Sequence, residues 1–543
     1  MYSSDFKPIR FFRAQYIFMR IPGPVSVDGR AMRWRNLWAL LVVVFSGPVL
    51  ADERGWFVEA QAALTKAQQL TPVNQRARNV ILFVGDGMGI STVTAARILE
   101  GQLRGEPGEE NSLSFERLPY LALSKTYSVN QQTPDSAPTM SAMMTGVKTN
   151  DRIFGVNESV ARGETRWSEV QKNRLTTLLE VAEMSGLSTG VVTTARLTHA
   201  TPAACYAHIP ERDWESDADM PRGTDVPDIA RQLIEFPYGD GLEVAMGGGR
   251  RAFIPVGFVD GEGKHGRRRD RRDLTKEWLD GNSNAAYVWN LEQFRAIDPD
   301  ATDHLLGLFE SSHMEYEADR AGDRGAEPSL TEMTGKAIRI LSKNPKGFFL
   351  NVEGGRIDHG HHAGNAYRAL TDTIEFSNAV RVALEMTDPA ETLIIVTADH
   401  SHVFTMAGYP RRGNPILGKV IEPGQSAHAL AADGKPYTTL SYANGRGFHQ
   451  LNPGGDTSYL KPIHAGRADL TGVDTTDEGF HQEALIPLLM ESHGGEDVAI
   501  YAGGPMAHLF HGVQEQHYIY HVMAEALGLN QLGQSGEIDG NDQ

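Results

Sequence analysis

Four strand-like apolar runs recur along the 543-residue chain. They cover residues 79–84 (NVILFV), 188–193 (STGVVT), 348–352 (FFLNV) and 392–397 (TLIIVT). Continuous apolar runs of this length are typical of strands that are buried on both faces of a parallel sheet. Helices are predicted between them, at residues 91–99, 176–185, 328–341 and 367–386. The alternation predicts an α/β fold with a doubly wound, mainly parallel central sheet flanked by helices.

Three of these runs end beside an acidic residue. Asp86 follows the first run between two glycines, Glu353 follows the run at 348–352, and Asp399 follows the run at 392–397. Ligands of open α/β sheets bind just beyond the carboxyl ends of the strands. The three carboxylates therefore indicate one shared site.

The domain organisation follows from composition. Residues 404–480 are rich in Gly, Pro, Asn and Tyr and lack a helical period, so we interpret them as an inserted surface subdomain. Residues 52–403 and 481–530 are expected to form a single α/β catalytic domain, and residues 531–543 a disordered tail. The charged segment 257–273, which contains RRRDRRD, is interpreted as a solvated loop.

The N-terminal segment predicts export. The apolar run at 37–50 follows Arg33 and Arg35 and ends before Ala51, which is typical of a secretory signal peptide within an extension of residues 1–51. An N-terminal membrane anchor is the alternative, although the run is short for a membrane span. We expect a periplasmic or secreted protein without a stable membrane anchor, because no apolar tail closes the chain.

Composition and charge narrow the class of function. The formal net charge of -18 disfavours nucleic acid as a partner, since a chain this acidic repels phosphate backbones. An anionic substrate would then need local positive charge from metal ions or a few arginines. Cys205 is the single cysteine, which excludes an intrachain disulfide and leaves the 19 histidines as the more interesting metal candidates.

The segment EGGRIDHGHH at 353–362 is the strongest candidate for metal binding. If a helix starts near Arg356, Asp358 and His362 lie four residues apart on one face and can chelate one cation. Asp399 and His400 are adjacent and can bend toward a second cation. A polar loop rich in histidine is the alternative for the segment considered alone.

Ser136 and Arg212 are candidates for contact with a phosphate. Ser136 begins a predicted buried helix, where it is either a cap or a nucleophile held where amides favour an oxyanion. No histidine near it in sequence is an obvious base, so a metal would have to activate its hydroxyl. Arg212 can hold two phosphate oxygens at once.

Seven motifs together resemble those of alkaline phosphatases, and more closely the animal-type than the shorter enterobacterial enzymes. They are GDGMG at 85–89, PDSA at 134–137, HATPAACYAH at 199–208, MGGGR at 246–250, VEGGRIDHGHH at 352–362, TADHSH at 397–402 and GPMAHLFHGVQEQ at 504–516. The resemblance covers residues 55–527. It implies a metal-dependent phosphomonoesterase that forms a phosphoserine at Ser136, with Arg212 clamping the phosphate.

The resemblance also implies two zinc ions and one magnesium ion. The implied ligands are Asp358, His362 and His493 for one zinc, Asp86, Asp399 and His400 for the other, and Asp86, Thr201 and Glu353 for magnesium. It places His199 and His359 beside the magnesium and the phosphate, on the substrate side.

A calcium site is a further implication, with an acidic surface cluster as the alternative. Its ligands would be Glu262, the carbonyl of Phe309, Glu310 and Glu327. Glu327 stands where the family carries aspartate, after a loop that is two residues longer. Oxygen-only ligands suit calcium.

The resemblance assigns residues 404–480 to the family's crown subdomain and residues 59–70 to an N-terminal helix, both of which imply a homodimer. It also implies that the substrates are small phosphomonoesters. A phosphodiesterase of the same superfamily is the nearest alternative, but such relatives usually use threonine where this chain has Ser136. The other alternative is a non-catalytic periplasmic protein that binds metal or phosphate. Pro138, where the family usually has a small residue, is expected to be tolerated in a first helical turn.

Overall fold

The computed structural model describes residues 53–448 and 467–529. The predicted signal peptide, within residues 1–51, and the predicted tail at 531–543 lie outside the described residues. Helix α1 forms part of a separate unit that ends at Gln69, and the second unit starts at Leu70. The helices are α1 (Glu53–Gln68), α2 (Ile90–Leu103), α3 (Ser136–Thr145), α4 (Trp167–Lys172), α5 (Leu178–Met184), α6 (Ala200–Ala203), α7 (Ile229–Ile234), α8 (Leu274–Gly281), α9 (Leu291–Ala296), α10 (Leu330–Leu341), α11 (Arg356–His362), α12 (Ala366–Met386) and α13 (Tyr518–Leu527).

A ten-stranded sheet forms the centre of the second unit, in the order β15-β2-β14-β8-β1-β7-β3-β4-β6-β5. Every pairing in it is parallel except those of β14. The strands of the chain are β1 (Asn79–Gly85), β2 (Tyr120–Lys125), β3 (Ser188–Arg196), β4 (Val244–Gly248), β5 (Ala285–Val288), β6 (His304–Leu308), β7 (Phe348–Gly354), β8 (Thr392–Ala398), β9 (Ser401–His402), β10 (Phe404–Met406), β11 (Leu440–Gly445), β12 (Glu483–Pro487), β13 (His493–Gly494), β14 (Val498–Gly503) and β15 (Val513–Glu515).

Helices cover both faces of this sheet. Alternate residues of β1 point to opposite faces, so that Val80 and Leu82 join one apolar cluster and Ile81 and Phe83 the other. Residues of α3, α5, α6, α7 and α13 pack in the first cluster, and residues of α2, α10 and α12 in the second. The predicted fold class, a doubly wound and mainly parallel sheet, is confirmed.

The four predicted strands and the four predicted helices are present, with shifted ends. Helix α10 begins after Ser329, whose hydroxyl accepts a hydrogen bond from the Glu332 amide while the Glu332 carboxylate accepts one from the Ser329 amide. This capping box sets the start of the helix at Leu330, after the predicted start at residue 328. Pro138 lies in the first turn of α3, where its missing N–H costs no helical hydrogen bond.

The segment predicted as an insertion contributes to a separate small sheet, of order β10-β11-β12. Strands β10 and β11 lie within residues 404–480, whereas β12 follows the predicted boundary. Residues 449–466 of this segment lie outside the described residues. In the described part of 404–480 there is no α-helix, which agrees with the missing helical period.

The prediction of a solvated loop at 257–273 is wrong for Arg268, which is fully buried. Its guanidinium donates to both carboxylate oxygens of Asp228, each at 2.9 Å, and to Asp270. A repeat of charges along a sequence does not show which of them has a buried partner forty residues away.

Among the helices of residues 53–448 and 467–529, none combines the length and the apolar character that crossing a membrane requires.

Candidate active site and metal centre

The three acidic residues at the strand ends lie at one edge of the sheet, as the sequence predicts. Asp86 follows β1, Glu353 is the penultimate residue of β7, and Asp399 follows β8. All three side chains are completely buried. Ser136 is the first residue of α3, and its hydroxyl lies 3.1 Å from Nε2 of His400 and 3.5 Å from Oδ1 of Asp86. A single hydroxyl is therefore placed among buried carboxylates and an imidazole.

Asp358, His362 and His493 form the first group of possible metal ligands. Oδ1 of Asp358 lies 3.3 Å from Nε2 of His362 and 3.4 Å from Nε2 of His493. The Nδ1 atoms of the two histidines face carbonyl oxygens, of Glu491 at 2.6 Å and Pro134 at 2.7 Å, and donate to them. Each imidazole therefore keeps its lone pair on Nε2, where the two Nε2 atoms are 3.1 Å apart, as ligands of one cation require.

Asp86, Asp399 and His400 form the second group. Nε2 of His400 lies 3.4 Å from Oδ1 of Asp86 and 3.4 Å from Oδ2 of Asp399. Oδ1 of Asp399 accepts hydrogen bonds from the amides of Gly87 and His400, which fixes the carboxylate. Oδ2 of Asp86 and Oδ2 of Asp399 are buried and have no hydrogen-bond partner. Such atoms are costly unless a cation pairs with them.

The third group offers only oxygen. One oxygen of Glu353 accepts a hydrogen bond from the Thr193 hydroxyl, and the other is buried without a partner. The hydroxyl of Thr201, on α6, is likewise buried without a partner. Asp86 is shared with the second group, since a carboxylate has two oxygens to offer.

The buried carboxylates of the site require positive charge nearby. Burial, together with the nearby carboxylates, raises the pKa of Asp86 well above its ordinary value and that of Asp399 to about 6. Burial also raises the pKa of Glu353 to about 8, although the hydrogen bond from Thr193 opposes it. The pKa of Asp358 is instead lowered, because the effect of burial is outweighed by the nearby His362 and by the hydrogen bond from His402. The unpartnered oxygens and the imidazole lone pairs fit metal ions.

Arg212 lies beside the nucleophile candidate. Its Nη1 donates to Asp135, the residue before Ser136, and its Nη2 donates to Nε2 of His199 at 2.9 Å. His359 lies on the same side, with its ring centroid 5.6 Å from that of His199 and its Nδ1 3.3 Å from Nη1 of Arg356. The predicted substrate-side residues are thus grouped next to the predicted metal ligands.

The sequence reasoning missed His402, which holds Asp358 in place, and Glu491, which holds His402. Nε2 of His402 donates to Oδ1 of Asp358 at 2.8 Å, and Nδ1 of His402 donates to Glu491 at 2.5 Å. Burial alone would lower the pKa of His402, but the carboxylates of Glu491 and Asp358 outweigh burial and raise this pKa to about 10. This histidine is therefore protonated. A signal was available, because in an extended TADHSH segment residues 400 and 402 point to the same side.

Two further residues were missed. Gln516, within the VQEQ stretch, donates to the carbonyl of Asp399 at 2.7 Å. His313 packs its ring 4.1 Å from that of His359, and no local pattern in GLFESSHM indicates this contact.

The four residues predicted to bind calcium also lie near one another. Arg250 pairs with one oxygen of Glu262 and lies 3.3 Å from the carbonyl of Phe309. The other oxygen of Glu262 and one oxygen of Glu327 are buried without partners. Burial, with Glu262 adding to it, raises the pKa of Glu310 to about 7, and burial raises that of Glu327 to about 9. Asp323, which was not predicted, adds a further unpartnered carboxylate oxygen.

Comparison with known proteins identifies the family. The family model for alkaline phosphatase matches residues 77–529. An alkaline phosphatase of Gadus morhua is 45% identical over 492 residues, which cover 88% of this chain and 98% of that protein. The tissue-nonspecific alkaline phosphatase of Gallus gallus is 46% identical over 488 residues, which cover 88% and 89%.

Solved structures agree on the fold. The alkaline phosphatase of the Antarctic bacterium TAB5 aligns with a TM-score of 0.57 at 23% identity, covering 84% of this chain and 100% of its own. The Thermus thermophilus enzyme aligns with a TM-score of 0.59 at 24% identity, covering 85% and 94%. The chain therefore belongs to the alkaline phosphatase family, as its motifs predict.

Proposed function

We propose that this protein is a metal-dependent phosphomonoesterase that hydrolyses phosphate monoesters to an alcohol and inorganic phosphate through a phosphoserine at Ser136. One observation carries the proposal: the Ser136 hydroxyl lies at the N-terminus of α3, within 3.5 Å of both Asp86 and His400 and next to the residue that holds Arg212. The proposed nucleophile, cation ligands and phosphate clamp therefore lie close to one another.

Two zinc ions and one magnesium ion are the cofactors we propose. Asp358, His362 and His493 would hold one zinc, since carboxylate and imidazole suit zinc. Asp86, Asp399 and His400, with the Ser136 hydroxyl, would hold the other. Asp86, Thr201 and Glu353 would hold magnesium, which prefers oxygen. When bound, such ions lower the pKa of coordinated hydroxyls and stabilise negative charge on phosphoryl oxygens.

The chain's own residues position the reaction. Oγ of Ser136 loses its proton and attacks phosphorus in line, the bond from phosphorus to the ester oxygen breaks, and the alcohol leaves carrying a proton. Water then cleaves the phosphoserine, which releases inorganic phosphate and regenerates the Ser136 hydroxyl. The free amides of the first turn of α3 favour negative charge at this point. Arg212 clamps two phosphoryl oxygens, and its orientation is fixed because Asp135 and His199 each accept from its guanidinium.

A comparison of substrates tests this proposal. The enzyme loaded with zinc and magnesium should release product from a chromogenic phosphomonoester, much less from the matching diester and sulfate, and none after chelation. Preference for the diester would favour a phosphodiesterase, and no turnover of any ester would favour a metal- or phosphate-binding protein. Ser136→Ala should abolish the burst of covalent intermediate, while the exposed Ser159→Ala should keep it; a burst of full size in Ser136→Ala would refute the role of Ser136.

We also propose that Glu262, the Phe309 carbonyl, Glu310 and Glu327 bind one calcium ion. The support is the pair of buried, unpartnered oxygens on Glu262 and Glu327. Calcium should raise the melting temperature of the zinc- and magnesium-loaded enzyme, and Glu327→Gln should remove most of that rise. Metal analysis that finds no calcium after gentle purification would contradict the site.

A homodimer is the assembly we propose. The support is an exposed apolar stretch on and after β12, in which Leu485 and Leu489 are 75% and 73% exposed. Contiguous apolar surface of this kind is typical of protein interfaces. Light scattering should give twice the monomer mass, and a monomeric mass at working concentration would refute it.

The signal peptide, the periplasmic or secreted location and the domain boundaries remain proposals from the sequence. Mass spectrometry of the mature N-terminus should find it near Ala51, and a mature protein that retains residues 37–50 would favour an anchor.

A further inference from the structure

Three imidazoles meet beside the phosphate clamp. Ring nitrogens of His199, His313 and His359 lie within 4.8 Å of one another. The ring centroid of His313 is 4.1 Å from that of His359 and 5.3 Å from that of His199. His313 comes from the loop after β6, and neither the sequence motifs nor the proposed mechanism gives it a role.

Each of these histidines faces an arginine, which decides what the group can bind. Arg212 contacts Nε2 of His199 at 2.9 Å, and Arg356 contacts Nδ1 of His359 at 3.3 Å. Nη1 of a third arginine contacts Nε2 of His313. A guanidinium only donates, so each imidazole gives its lone pair to an arginine. With the lone pairs used and three positive charges nearby, the group is not suited to a cation.

The ring of His313 is held against one arginine. Both of its ring nitrogens lie against Arg196, the amide 3.3 Å from Nδ1 and the guanidinium beside Nε2, and one of them accepts a hydrogen bond because a neutral imidazole has a single lone pair. Arg196 is fixed in turn by two hydrogen bonds to the carboxylate of Glu215, at 2.7 and 2.5 Å. With its lone pair given to Arg196 and its other ring nitrogen beside the same residue, His313 is placed to act on a ligand through the packing of its ring.

The backbone around His313 is fixed as well. The Met314 amide donates to the carbonyl of Thr194 at 3.1 Å, and the Gly249 amide donates to the carbonyl of Ser312 at 2.6 Å. A Cβ atom on Gly248 would lie 2.1 Å from the same Ser312 oxygen, so this close approach of two backbones requires glycine. The imidazole of His359, by contrast, has one long hydrogen bond, to Arg356, among the described residues.

We propose that His313 is a positioning residue of the phosphate site, whose ring holds His359 in the orientation in which it faces the substrate side. The inference rests on the proposed phosphomonoesterase function. The physical basis is that a firmly held ring, packed edge-on at 4.1 Å and 61°, restricts the rotation of a neighbour that is otherwise loosely bonded.

His313→Ala and His313→Phe test the proposal in the zinc- and magnesium-loaded enzyme. The alanine variant should raise the inhibition constant of inorganic phosphate and KM by about three- to tenfold, the effect of one misplaced contact of ordinary strength. Its kcat, melting temperature and metal content should stay close to those of the parent. The phenylalanine variant keeps a ring against His359 and should bind phosphate almost as the parent does. Ser312→Ala, one residue away, is the matched control.

A double substitution shows whether His313 acts through His359. In a His359→Ala background, His313→Ala should change the phosphate inhibition constant no further, because the group that it positions is gone. Additive effects would overturn the proposal, as would an unchanged constant in His313→Ala, equal losses in the Ala and Phe variants, or a fall in melting temperature and metal content that accounts for the loss. The parent enzyme separates the two failures: if it does not turn over phosphomonoesters, the proposed function fails first.

Discussion

Arg268 offers a stability prediction whose size follows from the structure. Its side chain is completely inaccessible to solvent. It donates to both oxygens of Asp228 at 2.9 Å, to both oxygens of Asp270 at 3.1 and 2.5 Å, and to the carbonyl of Ala252 at 3.2 Å. Asp228 also caps α7, since its Oδ1 accepts from the Arg231 amide at 3.0 Å. The Arg268 guanidinium therefore links the charged segment 257–273 to the start of α7.

Replacing Arg268 with methionine keeps most of the buried volume and removes the charge. Asp228, which is 3% exposed, then has a buried carboxylate without its cation. Breaking one side of a buried ion pair costs about 3–5 kcal/mol. The entropy of unfolding for a chain of this length is about 1 kcal/mol per kelvin, so the melting temperature should fall by about 3–5 °C.

Calorimetry on the metal-loaded proteins provides the measurement. Arg269→Met is the control, because Arg269 is exposed in the next position and should change stability by less than about 0.5 kcal/mol. Adding Asp228→Asn to Arg268→Met should recover part of the loss, since the amide keeps an acceptor for the Arg231 amide but carries no charge. If Arg268→Met melted together with Arg269→Met, or if Asp228→Asn worsened it, the reasoning about the buried pair would be refuted.

Three further predictions concern phosphate, pH and backbone. Arg212→Lys loses the two-pronged guanidinium and should weaken inhibition by inorganic phosphate about tenfold with an unchanged melting temperature; unchanged inhibition would argue against a clamp. Burial raises the pKa of Glu183 to about 9, with a neighbouring carboxylate adding to it. The contribution of Glu183 to stability is therefore complete below its unfolded pKa of about 4.5 and is lost as pH rises toward 9. Glu183→Gln should therefore be more stable than the parent at pH 9, by on the order of 2 kcal/mol, but not at pH 5, and equal pH dependence of melting would contradict this. A Cβ on Gly347, at φ +106°, would lie 1.9 Å from a backbone oxygen, so Gly347→Ala should lower the melting temperature by several degrees, whereas Gly472→Ala, with open space around it, should not.

The strands and the acidic residues at their ends could be predicted because their signals are local. A continuous apolar run marks a buried parallel strand, and the polar residue after it is carried to the carboxyl edge of the sheet whatever the connections are. Asp86, Glu353 and Asp399 could thus be placed together before the order of strands was known. The spacing of Asp358 and His362 works in the same way, since one helical turn puts both on one face.

The residues that were missed act through contacts that no local pattern encodes. His313, in the loop after β6, reaches His359 on α11, and Arg268 reaches Asp228 forty positions earlier in the chain. Only the assembled fold brings such residues together. In the sequence, a buried arginine within a charged run, or a single buried histidine, therefore looks the same as an exposed one. His402 is the exception, because its position two residues after His400 placed it on the same side of an extended segment.

The three carboxylates at the strand ends link metal binding to stability. Asp86, Glu353 and Asp399 are completely buried and carry raised pKa values, so each opposes folding at alkaline pH unless a cation pairs with it. The chain has one cysteine and therefore no intrachain disulfide to offset that cost. Cations that bind the folded chain and not the unfolded one supply the stabilisation, by an amount that grows with their concentration. Chelation should accordingly lower the melting temperature more at pH 9 than at pH 6. A melting temperature that is independent of chelator at both pH values would show that these carboxylates find their partners elsewhere.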